Sequence, residues 1–118
     1  MTGKLILLVE DDPDVSDTLR SLLIAFGYRV EVASDGQKGL RVLREGVRPS
    51  IILLDLMMPN MDGHRFRDVL REDLELNAIP TIVLTADMRA SAEKLGVTAC
   101  FRKPFDPAEL LAAIKQHC

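Results

Sequence analysis

Ser50-Ile51-Ile52-Leu53-Leu54-Asp55-Leu56-Met57-Met58-Pro59-Asn60-Met61-Asp62-Gly63 sets an unbroken aliphatic run against a carboxylate and then against a cluster of turn formers. Aliphatic residues in succession, with no alternating polar face, predict a short strand covered on both sides, as in a parallel sheet between helix layers. Asp55 closes that strand, where an unpaired charge at the edge of a buried element is costly. Pro59 to Gly63 makes the turn. Phe66, Val69, Leu70 and Leu74 then fall on what reads as the inner face of one helix.

The same alternation continues in both directions. Upstream, Leu5 to Val9 is a second continuous apolar run, ending in Glu10-Asp11-Asp12. Asp12-Pro13 reads as an N-cap followed by proline at the first helical position. Val15, Leu19, Leu22, Leu23 and Phe26 share one helical face, which Gly27 terminates. Tyr28 to Ala33 predicts a short strand, and Ser34-Asp35-Gly36 opens a helix carrying Leu40 and Leu43 before Gly46 and Pro49. Downstream, Thr81 to Leu84 predicts a strand ending at Thr85. Asp87 to Leu95 has room only for a short helix, and Val97 to Phe101 predicts a fifth strand leading to Lys103-Pro104. Asp106-Pro107-Ala108-Glu109 is a strong helix start, with Leu110, Leu111 and Ile114 to dock it. Strands alternating with helices specify an α/β fold with crossover connections and a parallel sheet.

The 118 residues suffice for one core, so residues 1–118 are expected to form one domain with no output domain. Only 4% of them are aromatic and none is Trp, so that core must be aliphatic. Fifteen basic residues, scattered among eighteen acidic ones, leave a net charge of −3, which disfavours direct nucleic-acid binding. No apolar run approaches the length of a membrane span, and Glu10-Asp11-Asp12 interrupts the N-terminal one before a cleavage pattern. A cytoplasmic protein with no membrane partner is expected. Cys100 and Cys118 have neither metal-ligand spacing nor the look of a disulfide framework.

Polar residues stand wherever an apolar strand runs out: Glu10 and Asp11 after the first, Asp55 after the third, Thr85 after the fourth, Lys103 after the fifth. Ligands of open parallel sheets bind at that end, near the point where strand order reverses. Converging carboxylates raise one another's pKa unless a cation lies between them, and an all-oxygen donor set suits Mg²⁺. Glu10, Asp11 and Asp55, with the backbone carbonyl of Met57, are the candidate ligands. Asp55 is also a candidate nucleophile towards phosphorus, with Lys103 to neutralise charge and the Thr85 hydroxyl to bind a phosphoryl oxygen. Each residue alone has a plainer explanation as a cap, turn or surface residue, and for Asp12 the cap is preferred. His64 and His117 read as exposed side chains, and Met57, Met58 and Met61 as adaptable packing. All five strand-end positions being filled argues against coincidence.

These blocks, Leu7-Leu8-Val9-Glu10-Asp11-Asp12-Pro13, Ile52 through Gly63, Leu84-Thr85-Ala86 and Lys103-Pro104-Phe105, resemble the receiver domains of two-component response regulators. The likeness covers essentially the whole chain in order, and suggests a single-domain form like the chemotaxis regulators. The resemblance implies a flavodoxin-like, doubly wound five-stranded sheet in order 2-1-3-4-5 with five helices. It implies Asp55 as phosphoacceptor, Glu10 and Asp11 as the acidic pair holding Mg²⁺ or Mn²⁺ with the Met57 carbonyl, Thr85 as switch hydroxyl and Lys103 as phosphate-binding lysine. The implied partners are a sensor histidine kinase or histidine phosphotransfer protein as donor, a downstream effector or attached output module, and a homodimer formed on phosphorylation. The implied role is a signalling switch, not an enzyme, beyond self-catalysed phosphotransfer and slow autodephosphorylation. A cis Lys103–Pro104 bond is common in the family.

Two features depart from the family pattern. Cys100 occupies the place, three residues before the lysine, where family members usually carry Tyr or Phe, and Phe101 should face the other side of the strand. The segment from Thr85-Ala86 to Gly96 is about one helical turn short. Two other readings compete. A haloacid-dehalogenase-like phosphatase also uses an aspartyl nucleophile and Mg²⁺, but usually has a second Asp where this chain has Met57. A pseudo-receiver would keep the fold only to bind a partner.

Overall fold

Five strands form one sheet in the order β2-β1-β3-β4-β5, with every neighbouring pair parallel. They are β1 (Leu5–Val9), β2 (Arg29–Ala33), β3 (Ile51–Asp55), β4 (Thr81–Thr85) and β5 (Ala99–Arg102). The structure is a computed structural model describing residues 3–56, 63–86 and 90–118. Among these, the helical segments are α1 (Pro13–Ala25), α2 (Gly36–Arg44), α3 (Gly63–Arg71), α4 (Leu74–Asn77), α5 (Ala92–Leu95) and α6 (Pro107–His117). The α/β class and the strand order are as expected. None of these helices is long and apolar enough to cross a membrane.

Local chemistry explains where the helices begin. Asp12 accepts from the Asp14 N–H at 2.9 Å, Asp35 from the Lys38 N–H at 2.8 Å, and Asp106 from the Ala108 N–H at 2.9 Å. Each satisfies a donor that the first turn leaves without an intrahelical partner. Asp12 thus serves as the cap that its position before Pro13 suggested.

The central strands β1, β3 and β4 are buried on both faces, and side-chain alternation divides the core in two. Leu7, Val9, Ile52, Leu54 and Val83 pack with Leu40 and Leu43 of α2, Phe66 and Leu70 of α3, and Leu95 of α5. Ile6, Leu8, Ile51, Leu53, Ile82 and Leu84 pack with Leu19 and Leu23 of α1 and with Leu110 and Ile114 of α6. Gly39 lets α2 approach closely, since a Cβ there would lie 2.9 Å from Phe66 Cε1 and 3.2 Å from Val9 Cγ2.

Three expectations need correction. The third helix does not run on to Leu74: it ends at Arg71, and Asp73 caps a separate turn, α4, through the Glu75 and Leu76 N–H groups at 2.9 and 3.2 Å. Leu74 is therefore 89% exposed and Leu76 faces the core, so the described helical segments exceed the expected five. Phe26 lies beyond the end of α1 as its C-cap, 59% exposed rather than on the buried face.

Candidate functional site

Parallel pairing brings the carboxyl ends of the strands into one row. Register pairs Val9 with Leu54, so Glu10 and Asp55 emerge side by side from β1 and β3. The chain passes from β1 outward to β2 and back to β3, so this is the point where strand order reverses. Asp55 pairs with Leu84, one residue short of Thr85, and Thr85 pairs with Arg102, one residue short of Lys103. The Lys103 N–H donates to the Thr85 carbonyl at 2.8 Å, fixing the start of the loop after β5 against the end of β4.

Glu10, Asp11 and Asp55 each direct a carboxylate oxygen into one cluster, in which the three atoms lie within 4.8 Å of one another. Glu10 and Asp55 are buried, at 2% and 6% exposure, and Thr85 is fully buried. The Lys103 ammonium enters between the two buried acids, with Nζ 2.6 Å from Glu10 Oε1 and 3.6 Å from Asp55 Oδ2. Burial raises the Glu10 pKa above its ordinary value, and the Asp55 carboxylate beside it raises it further, against the pull of Lys103. Burial alone would lower the Lys103 pKa, but its hydrogen bond to Glu10 and the nearby Asp55 carry it above the ordinary lysine value. Three acids around one ammonium leave unbalanced negative charge, and an all-carboxylate donor set of this spacing fits a hard divalent cation.

The sequence-derived site thus converges at Glu10, Asp11, Asp55 and Lys103, with Thr85 at the adjoining strand end. The Met57 carbonyl lies outside the described residues. The Lys103–Pro104 peptide bond is cis. Cys100 packs with the core on the α2, α3 and α5 face, and Phe101 with the core on the α1 and α6 face, as strand alternation required. Two residues mattered more than their sequence context suggested. Gly63, read only as a turn former, donates to the Leu56 carbonyl at 2.8 Å; a Cβ on it would lie 2.5 Å from Leu56 Cα and 2.6 Å from the Asp55 carbonyl oxygen. A side chain at Gly63 would therefore displace the backbone that carries Asp55. Arg102, with its Nη2 3.2 Å from the Ala90 carbonyl, ties β5 to the end of the segment that follows Thr85.

Comparison with known proteins gives this arrangement its context. The DNA-binding response regulator MtrA of Mycolicibacterium smegmatis is 37% identical over 114 residues, covering 93% of this chain and 48% of its own length. An uncharacterized 14.6 kDa protein from Leptolyngbya boryana is 36% identical over 117 residues, covering 96% of this chain and 88% of its own. The chain spans about half the length of most of the curated relatives it matches. Several of those relatives are named as DNA-binding, so the expected exclusion of nucleic acid finds no support in them. Among solved structures, the receiver domain of the sensor histidine kinase PA1611 of Pseudomonas aeruginosa, with a magnesium ion coordinated in its active site cleft, superposes with a TM-score of 0.87 at 31% identity over 98% of each chain. The phosphatase and pseudo-receiver readings gain nothing from these relatives. The model of the response regulator receiver domain matches residues 6–115, and the chain belongs to that family.

Proposed function

We propose that this domain is a phosphorylation-controlled switch in which Asp55 accepts a phosphoryl group from a phosphohistidine of a sensor kinase or phosphotransfer protein. The observation that carries the reading is the Lys103 ammonium held between Glu10 and Asp55, beside a three-carboxylate cluster. An Asp55 carboxylate oxygen forms the new bond to phosphorus while the bond from phosphorus to the histidine nitrogen breaks, and the departing imidazole carries away its electron pair and takes up a proton. Lys103 is within reach of charge building on the phosphoryl oxygens, and the Thr85 hydroxyl would bind one of them once the group is in place. Glu10, Asp11 and Asp55, with the Met57 carbonyl, would hold Mg²⁺ or Mn²⁺, which supplies charge neutralisation for the transferring group. Gly63 keeps the backbone at Asp55 clear. The domain works as a phosphoacceptor that partners read, not as a catalyst acting on free substrates. Its attached or separate output, its oligomeric response to phosphorylation and a cytoplasmic setting belong to the same proposal.

Incubation with acetyl phosphate tests the site directly. Intact-mass measurement should show one added phosphoryl group with Mg²⁺ present and essentially none when the ion is chelated. The assignment is lost if Asp55→Asn is modified to the same extent as the native protein, or if chelation leaves the extent and rate unchanged.

A further inference from the structure

At the opposite end of the sheet a pocket of about 300 Å³ opens among Arg67, Asn77, Thr81, Gly96 and Thr98. Thr81 begins the strand that Thr85 ends, so the pocket lies about 13 Å from the carboxylate cluster along β4. Arg67 of α3 is its unusual element. The residue is only 7% exposed, and its Nη2 donates to the Gly96 carbonyl at 2.7 Å, while Nε and Nη1 are buried without any hydrogen-bond partner. One turn further along α3, Arg71 donates from its own Nη2 to the adjacent Leu95 carbonyl. Two guanidinium groups therefore meet the C-terminal end of α5 on neutral acceptors, and among the described residues no carboxylate forms an ion pair with either. Gly96 makes the approach possible, since a Cβ there would lie 2.5 Å from Arg71 Nη2. Burial, followed by the repulsion of Arg71, lowers the Arg67 pKa, and the neighbouring Asp68 compensates only in part.

A buried cation with two unmet donors is costly to maintain, and a bound oxyanion is the ligand that removes the cost. The arginine fork matches two oxygens of a carboxylate or phosphoryl group, which an ammonium cannot do. We propose that this pocket binds a small oxyanion, gripped by Arg67 with Arg71 beside it. Asn77 and Thr98, both exposed at the rim, offer neutral donors to the outer oxygens. Because Nε and Nη1 are covered by surrounding atoms, binding draws the guanidinium towards the opening and away from the Gly96 carbonyl.

Backbone-amide NMR of the full chain in Mg²⁺-free buffer at constant ionic strength tests this, with inorganic phosphate and acetate as separate probes. The Gly96, Val97 and Thr98 amides should shift saturably with at least one of them, phosphate alone identifying a phosphoryl ligand and acetate alone a carboxylate. Arg67→Met should abolish the response while raising the thermal midpoint of the anion-free protein, because an unmatched charge is removed. Arg67→Lys, which keeps the charge without the fork, should bind about tenfold more weakly or worse. The proposal is overturned by non-saturating shifts with both anions, by the same shifts in Arg67→Met, or by undiminished binding in Arg67→Lys.

Discussion

Lys103 shows how much one side chain holds in place. Its side chain, 24% exposed, pairs through the ammonium at 2.6 Å with Glu10, whose side chain is 1% exposed. Removing one partner of such a pair leaves a buried charge uncompensated, so Lys103→Met should lower stability at neutral pH in metal-free buffer by about 3 kcal/mol. The pH dependence follows from the shifts. Glu10 has a raised pKa in the folded state, so its contribution to stability is greatest below 4.5 and is lost as pH rises through its folded value. Removing Lys103 pushes that folded value higher still. The Lys103 pKa is also raised, so its contribution is fully present below 10.5 and disappears as pH rises through its folded value. The deficit should therefore be widest between the Glu10 value and 10.5, and should shrink as acid protonates Glu10. Urea unfolding of both proteins at about pH 4 and about pH 8 measures it, and an equal deficit at the two values would disprove the charge argument. These residues were legible in the sequence because each stands at the end of a strand-like run, Glu10 after Leu5 to Val9 and Lys103 after the run to Phe101 and Arg102, and parallel pairing does the rest. Arg67 was not legible: an arginine beside Phe66 in an amphipathic helix looks like any solvated residue, and its burial depends on the distant turn at Gly96.

At the level of elements, the clearest difference from the sequence reading lies between α3 and β4. Leu74 continues the spacing of Phe66 and Leu70, so periodicity alone extends the helix through it. Asp73 overrides that pattern by accepting from two N–H groups and starting a new turn. A capping aspartate competes with helix continuation through its own side-chain hydrogen bonds, which a hydrophobic template cannot register. Asp73→Ala should accordingly cost about 1 kcal/mol, whereas Leu74→Ser should change stability by less than about 0.5 kcal/mol. Denaturant midpoints decide it, and a larger loss from Leu74→Ser would restore the longer helix. By contrast, the α1, α2 and α6 starts were legible because an aspartate, in two cases followed by proline, announces them. Phe26 was misplaced for a related reason: the helical count puts it on the apolar face, but the chain has already left the helix there.

For the whole molecule, adjacent residues of one strand serve opposite cores. Leu53 is buried with the α1 and α6 layer, and Leu54 with the α2, α3 and α5 layer. Because β3 lies between β1 and β4, neither layer can separate without exposing a strand the other layer needs. The aliphatic composition makes this dependence stronger, since among the described residues each core holds a single buried aromatic, Phe66 on one side and Tyr28 on the other. Leu53→Ala and Leu54→Ala should therefore each cost about 2–5 kcal/mol through lost burial and an unfilled cavity. Both should lower the midpoint of one shared transition while leaving the denaturant slope unchanged. Far-UV circular dichroism reports the helices of both layers, and Tyr28, packed in the α1 and α6 core, provides a fluorescence signal from one of them. If the layers are a single cooperative unit, the two signals coincide in both variants. A Leu54→Ala protein whose circular dichroism is partly lost before the Tyr28 signal changes would instead show that the α2, α3 and α5 layer can detach, with the α1 and α6 layer standing alone.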